Sequence, residues 1–312
     1  MAKYKNALII VHRNENADDF QQIARRIRKL DPSIGVTMAS DFLTSKMVPP
    51  EYLNLPMLVI YLCNPPPSEF KIATKIAVKE MSKIEEYSHF KQHHIPCLPI
   101  DKFSWGMQPD PNLYGDFVIL KPQNIQSTGR DVNMIPTKMV ANLKPENFPL
   151  EHLIHRDSFY IQRFLKTGKS STYYRVLIFL GEVLLSYKVE QKSAYPNADD
   201  KLELLLKTSV ASNLQGNRDI SLIVNREINA FAKSVADAFY NLPILGIDLI
   251  PDEKTGKLYI LEINAGGNTW AFSAKPSQNL RSVLGLKNMV LQYNAWDRAA
   301  EALVRKTHEL AS

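Results

Sequence analysis

The sequence predicts an α/β (α+β) protein, with a parallel α/β unit at the N-terminus followed by two lobes built on antiparallel strands. Three observations carry this expectation. Two continuous apolar runs, NALIIV (6–11) and LPMLVIYLC (55–63), flank a helical stretch, the pattern of strands buried on both faces of a parallel sheet. From Asp116 onward, strands follow one another through turns, with Gly181 marking a hairpin. A chain of 312 residues also exceeds what one hydrophobic core usually serves. Borders near 75–80 and 155 divide it into 1–77, 78–157 and 158–312.

The elements follow in order. Residues 17–30 place Phe20, Ile23, Ile27 and Leu30 at helical spacing after an Asp-rich start. Residues 69–94 read as helical, broken into two helices, before IPCLPI punctuates the chain with two prolines. DFVILKP (116–122), SFYIQRFL (158–165), YYRVLIFL (173–180) and EVLLSYKVE (182–190) read as strands. An amphipathic helix is expected over about 222–240, then a hairpin over 244–264 and a terminal helix over 287–310.

Composition narrows the function classes. The chain is 45% hydrophobic and 22% charged, as soluble globular proteins are. A net charge of +6 suits a phosphate-bearing small molecule as well as it suits nucleic acid. No basic run with interleaved aromatics is present, so nucleic acid is not the expected partner. The apolar stretch near the N-terminus is too short for a signal sequence or a membrane span. The cytoplasm is therefore the expected compartment, and a homodimer is left open. Cys63 and Cys97 lack metal-ligand spacing and read as buried thiols.

The hairpin 244–264 carries the most chemistry. Side chains alternate along a strand, so Glu262 and Asn264 share a face, with Leu258 and Ile260 expected below them. Gly246, Asp248 and Ile250 share a face of the partner strand. Pairing of Asp248 with Glu262, or of Ile250 with Leu258, would merge the two faces. Two carboxylates that close are unfavourable without a cation between them. With an amide oxygen they suit Mg²⁺ completed by phosphate oxygens and water. The other reading is an edge-strand acid pair facing water.

Basic groups upstream could neutralise phosphates. Lys121 ends an apolar strand, either aiming its ammonium into a cleft or snorkelling to the surface. Ser127, Thr128 and Gly129 offer hydroxyl and backbone donors, or an ordinary turn. Lys83 begins a helix, as a phosphate ligand or a solvated lysine. Arg175, among apolar strand residues, needs an anionic partner, which is either a structural carboxylate or a substrate or phosphate. Lys275 and Arg281 select an acidic substrate or are simply solvated.

In this order the pieces resemble the ATP-grasp superfamily, of the D-alanine–D-alanine ligase, glutathione synthetase and ribosomal-protein glutamate ligase types. The resemblance covers residues 80–270, and the first 75 residues look like the superfamily's N-terminal α/β domain. SKIEEYSHFKQHHIPCLP is similar to the segment that would set Lys83 on the nucleotide phosphates. FVILKPQNIQSTGRDV implies phosphate binding by Lys121 and a lid over 126–130 that includes Ser127, Thr128 and Gly129. FYIQRFL looks like the hinge strand for adenine, with backbone hydrogen bonds from Gln162 to Leu165 and edge contacts from Arg163 and Phe164. LGIDLI…LYILEIN matches the Asp…Glu-x-Asn magnesium motif, implying Asp248, Glu262 and Asn264 as ligands.

The chain departs from the family in three places. Tyr173 stands where relatives often carry a ribose-binding acid, and Ala211 replaces an arginine two residues before Asn213, which is left to metal or phosphate. AGGNTW follows Asn264, so the acceptor pocket should differ. The resemblance implies a carboxylate–amine (or thiol) ligase that uses ATP with Mg²⁺ or Mn²⁺ and acts on a small molecule or peptide. Arg175 and Lys121 are the implied catalytic residues. A small-molecule kinase and a nucleotide-binding regulatory protein without turnover are the alternatives.

Overall fold

The computed structural model describes residues 4–63, 73–123, 130–196, 200–207, 218–266 and 269–311. The chain opens with β1 (Asn6–His12), α1 (Ala17–Leu30), β2 (Ile34–Ser40), β3 (Met57–Tyr61) and β4 (Thr74–Ala77). The four strands form a parallel sheet in the order β2-β1-β3-β4. Its apolar runs are continuous because both faces are covered. Leu8, Ile10, Leu58 and Ile60 pack with Phe20, Ile23 and Ile27 of α1. Ala7, Ile9, Val11 and Val59 pack on the other side with Leu43, Val48 and Tyr52. Gly35 is required on β2, since a Cβ there would lie 2.5 Å from the Tyr52 ring.

Next come α2 (Lys83–Gln92), β5 (Ile100–Lys102), α3 (Pro111–Tyr114), β6 (Phe117–Pro122), β7 (Asn133–Pro136) and β8 (Phe159–Arg163). The strands form an antiparallel sheet in the order β5-β8-β6-β7. Thus Phe159–Arg163, on the C-terminal side of the expected border at 157, pairs with strands that lie before it.

A second antiparallel sheet, in the order β11-β10-β9-β12-β13, is built by β9 (Ser170–Phe179), β10 (Glu182–Ala194), β11 (Arg218–Leu222), β12 (Ile244–Pro251) and β13 (Leu258–Asn264). Between its strands lie α4 (Leu202–Lys207) and α5 (Arg226–Ala238), and after it come α6 (Gln278–Leu284), α7 (Leu286–Leu291) and α8 (Ala295–Leu310). The β9–β10 hairpin turns at Leu180 and Gly181, with φ of 48° and 86°.

Three helical expectations need correction. Within 69–94 only 83–92 is helical, Thr74–Ala77 is an edge strand, and 64–72 lies outside the described residues. A capping box sets the start of α2: Ser82 N–H donates to Glu85 Oε2 at 2.7 Å, and Glu85 N–H to Ser82 Oγ at 3.3 Å. The helix expected over 222–240 spans Arg226–Ala238, capped by Asn225, whose side chain accepts from Ile228 N–H. The terminal helix is split, because Asn294 adopts a left-handed φ of 52° between α7 and α8.

The C-terminal segment returns to the first sheet. Trp270, 1% exposed, packs against Phe20 with ring centroids 4.7 Å apart. Its Nε1–H donates to Asp19 Oδ2 at 2.7 Å, and Ser273 Oγ–H donates to the same oxygen at 2.5 Å. Both cysteines are free thiols; Cys63 is buried and Cys97 half-buried, and burial raises the pKa of each. Among the described residues no helix is long and apolar enough to cross a membrane.

Candidate active site

The β12–β13 hairpin pairs Gly246 with Asn264 and Asp248 with Glu262. These four residues line a cleft of ≈ 720 Å³, within the size range of small-molecule sites. The ladder then slips: Leu249 pairs with Ile260, leaving Leu261 as the extra residue of a bulge. The bulge resets the alternation. Ile260 and Ile263, three apart, both enter the core beside Ile247, Leu249 and Val235, while Glu262 and Asn264 line the cleft. Leu258 and Ile260 therefore lie on the core side rather than below Glu262, and Ile250 pairs with Tyr259 rather than Leu258. A Cβ at Gly246 would sit 3.3 Å from Thr269 Cγ2 and 3.5 Å from Asn264 Cβ, so glycine keeps this part of the cleft open.

Arg175 finds its anionic partner across the sheet. It lies opposite Asp248, which is 3% exposed, and donates through Nε to Oδ1 at 2.5 Å and through Nη2 to Oδ2. Burial opposes the guanidinium's charge, but Asp248 outweighs it and raises the pKa above its ordinary value. Arg175 is thus committed to Asp248 in this structure rather than standing free in the cleft.

Lys83, the first residue of α2, donates to Glu86 Oε1 at 2.8 Å, to Glu86 Oε2 at 3.1 Å and to Ile263 O at 3.1 Å. Its Nζ also lies 3.5 Å from Glu262 Oε2. Burial works against the ammonium, yet Glu262 and Glu86 raise its pKa. Glu86 is pushed up to about 7 by burial, with Lys83 pulling the other way. For Glu262 burial also opposes ionisation, but Lys83, Lys121 and Arg175 prevail and bring it down to about 2. Lys121, on β6, is different. Burial lowers its pKa, its Nζ lies 5.5 Å from the centroid of the Tyr160 ring, and it has no hydrogen-bond acceptor among the described residues.

Gln162, Arg163, Phe164 and Leu165 border the same cleft at the end of β8. The Arg163 and Phe164 N–H groups are already used, donating to Pro99 O at 3.0 Å and Phe117 O at 3.1 Å. The expected set of backbone donors therefore narrows. Of the three amides from 163 to 165, Leu165 N–H alone has no partner among the described residues. Tyr173, in the place of the ribose acid, is a cleft residue whose pKa burial raises. Ser127, Thr128, Gly129 and Asn213 lie outside the described residues. Lys275 lies 3.9 Å from Glu15, and Arg281 donates to Ala274 O at 2.7 Å.

Sequence reasoning missed Arg13, Glu80, Glu86, Tyr160 and Tyr187. Glu86 carried a signal, three residues after Lys83 on one helix. So did Arg13, directly after β1, where parallel sheets present ligand crevices. Tyr187 lies opposite Arg175 on β10, a register no single strand reveals.

The donor set fits a hard divalent cation. Among the described residues no group of three His, Cys, Asp or Glu side chains forms a complete protein cage. Two carboxylates and one amide are what a Mg²⁺ shared with phosphates takes. Asn264 turns its Nδ2 toward Gly246 O, at 3.5 Å.

No protein-family model matches the sequence, and comparison with curated proteins gives no match. Solved structures do match. D-cycloserine synthetase DcsG is 13% identical with a TM-score of 0.50, over 96% of this chain and 99% of that one. The ATP-grasp ligase PsnB, complexed with a minimal precursor, is 11% identical with a TM-score of 0.53, over 96% and 99%. PsnB complexed with a phosphomimetic variant of minimal precursor, Mg and ADP gives 0.51 at 11% identity, over 97% and 99%. Identities this low speak to architecture, and the match runs through all three sheets: the chain has the ATP-grasp fold.

Proposed function

We propose that the protein is an ATP-dependent ligase that joins a carboxylate to an amine (or thiol) through an acyl phosphate, releasing ADP. One observation carries this reading. Asp248, Glu262 and Asn264 share the cleft face of one hairpin, flanked by Lys83, Lys121 and Arg175. Asp248, Glu262 and Asn264 would hold Mg²⁺ (or Mn²⁺), which when bound neutralises phosphate charge. Lys121, with no acceptor among the described residues, pairs with the nucleotide phosphates, and Lys83 joins it. Adenine docks at the end of β8, where Leu165 N–H supplies a donor.

In the first step a substrate carboxylate oxygen attacks the γ-phosphorus, and the bond from phosphorus to the ADP oxygen breaks. The amine nitrogen then attacks the carbonyl carbon, the carbon–oxygen bond to phosphate breaks, and the nitrogen loses a proton. Arg175, held beside Asp248, offsets the charge on the acyl phosphate and on the tetrahedral oxyanion. Little covalent work falls to the protein; positioning, charge neutralisation and exclusion of water carry the rate. The cytoplasm, where ATP is plentiful, is the compartment this reading implies.

The test is ADP release from Mg·ATP with pooled carboxylates, with and without amines, and with hydroxylamine as a trap. Hydroxamate formation supports the ligase. A stable phosphorylated alcohol would identify a kinase, and Mg-dependent ATP binding with no ADP from any pool a regulatory protein.

A further inference from the structure

Arg13 leaves β1 at its carboxyl end and lines the same cleft as the metal and phosphate groups. Its Nε–H is shielded from solvent and meets no hydrogen-bond acceptor among the described residues. A shielded donor calls for a partner, and a ligand in the cleft that Arg13 lines would supply one. Three other cations of the cleft are accounted for differently. Lys83 is held by Glu86 and Glu262, and Arg175 by Asp248. Lys121 stands within the field of Glu262. These come from α2 and the two antiparallel sheets, whereas Arg13 comes from the parallel one.

Two acids of the N-terminal unit have other partners, while the Glu80 carboxylate lines the same cleft as Arg13. Asp41 accepts from Asn14 N–H at 3.3 Å, and Asp19 accepts from Trp270 and Ser273. The Nε–H edge of a guanidinium presents two parallel donors that match one planar carboxylate. Ser277 and Asn279 add neutral polar groups to the same cleft.

We propose that Arg13 anchors a substrate carboxylate that takes no part in bond formation. The ligase would then act on a small acid that carries a carboxylate away from its reacting centre, such as an amino acid or a diacid. This rests on the ligase reading of the cleft.

The test compares acids with their own amides on the full chain: succinate against succinamate, glutarate against glutaramate, and alanine, aspartate and glutamate against their α-amides. Binding is measured by ligand-observed NMR, both with Mg·AMP-PNP and without nucleotide. The parent should bind at least one acid about 10- to 100-fold more tightly than its amide. Arg13→Gln should erase that preference and Arg13→Lys keep part of it, with AMP-PNP affinity unchanged in both.

The proposal is overturned if the parent prefers no acid over its amide, or if Arg13→Gln keeps the preference. It is also overturned if Arg13→Gln loses AMP-PNP, or if inorganic phosphate binds through Arg13 more tightly than every acid. Failure of the parent to bind Mg·AMP-PNP would instead sink the ligase reading, while the nucleotide-free comparison still decides the role of Arg13.

Discussion

Glu262→Gln keeps the shape of the side chain and removes its charge from among three cations. The Glu262 carboxyl falls from its ordinary 4.5 to about 2 in the folded protein. At about 1.36 kcal/mol per unit, that drop is worth about 3 kcal/mol in favour of the ionised, folded state. The side chain is 28% exposed, so water and salt reduce the benefit to about 1–2 kcal/mol. A depressed carboxyl pKa contributes stability that is fully present above the unfolded value and is lost as pH falls through the folded one. The variant should therefore be less stable than the parent at pH 7, with the gap closing as pH drops from 4.5 toward 2. Urea unfolding in EDTA, without nucleotide, at stepped pH and at low and high salt, measures this. A variant as stable as the parent at neutral pH, or a gap that stays constant through acid, would refute the charge balance drawn for the cleft.

Glu262→Ala should abolish Mg-dependent ATP turnover while the circular dichroism spectrum keeps its native shape, and undiminished ADP release would remove Glu262 from the metal set. Lys121→Met should raise the melting temperature of the nucleotide-free protein, because burial already disfavours that ammonium. The same variant should weaken Mg·AMP-PNP binding about 10- to 100-fold by titration calorimetry. Gly35→Ala puts a Cβ against the Tyr52 ring and should cost about 1–3 kcal/mol in urea unfolding. Asp19→Ala leaves the Trp270 indole N–H and the Ser273 hydroxyl without their shared acceptor. It should cost about 2–3 kcal/mol, with a shift in Trp270 fluorescence.

What the sequence revealed follows from how local each signal is. The runs at 6–11 and 55–63 are legible because a strand buried on both faces needs no partner to announce itself. The hairpin at Gly181 is equally local. By contrast β2, β5, β7 and β11 are short or half-polar strands that gain their identity from the neighbour they pair with. The helix expected over 69–94 overran because its start is set by a Ser82–Glu85 capping box, a local signal that the sequence itself carries.

In the cleft, the alignment of Asp248 with Glu262 was legible from alternation and one assumed register. The bulge at Leu261 was not, although two core isoleucines three apart, Ile260 and Ile263, break strict alternation and betray it. The partner of Arg175 was also hidden. That Asp248 lies opposite it depends on β12 pairing with β9, strands some 70 residues apart in sequence.

Lys83 touches Glu262 and the main chain of β13 at once. On the proposed metal reading, a divalent cation would therefore compete with an ammonium already seated beside Glu262. On that reading the lysine would act as a tethered surrogate for the ion and weaken its binding. Nucleotide phosphates would reverse the situation by offering Lys83 another anion and freeing the carboxylate. Because such coupling is reciprocal, metal should tighten nucleotide by the same factor that nucleotide tightens metal. The contact between α2 and β13 would then make the pair arrive together rather than either alone.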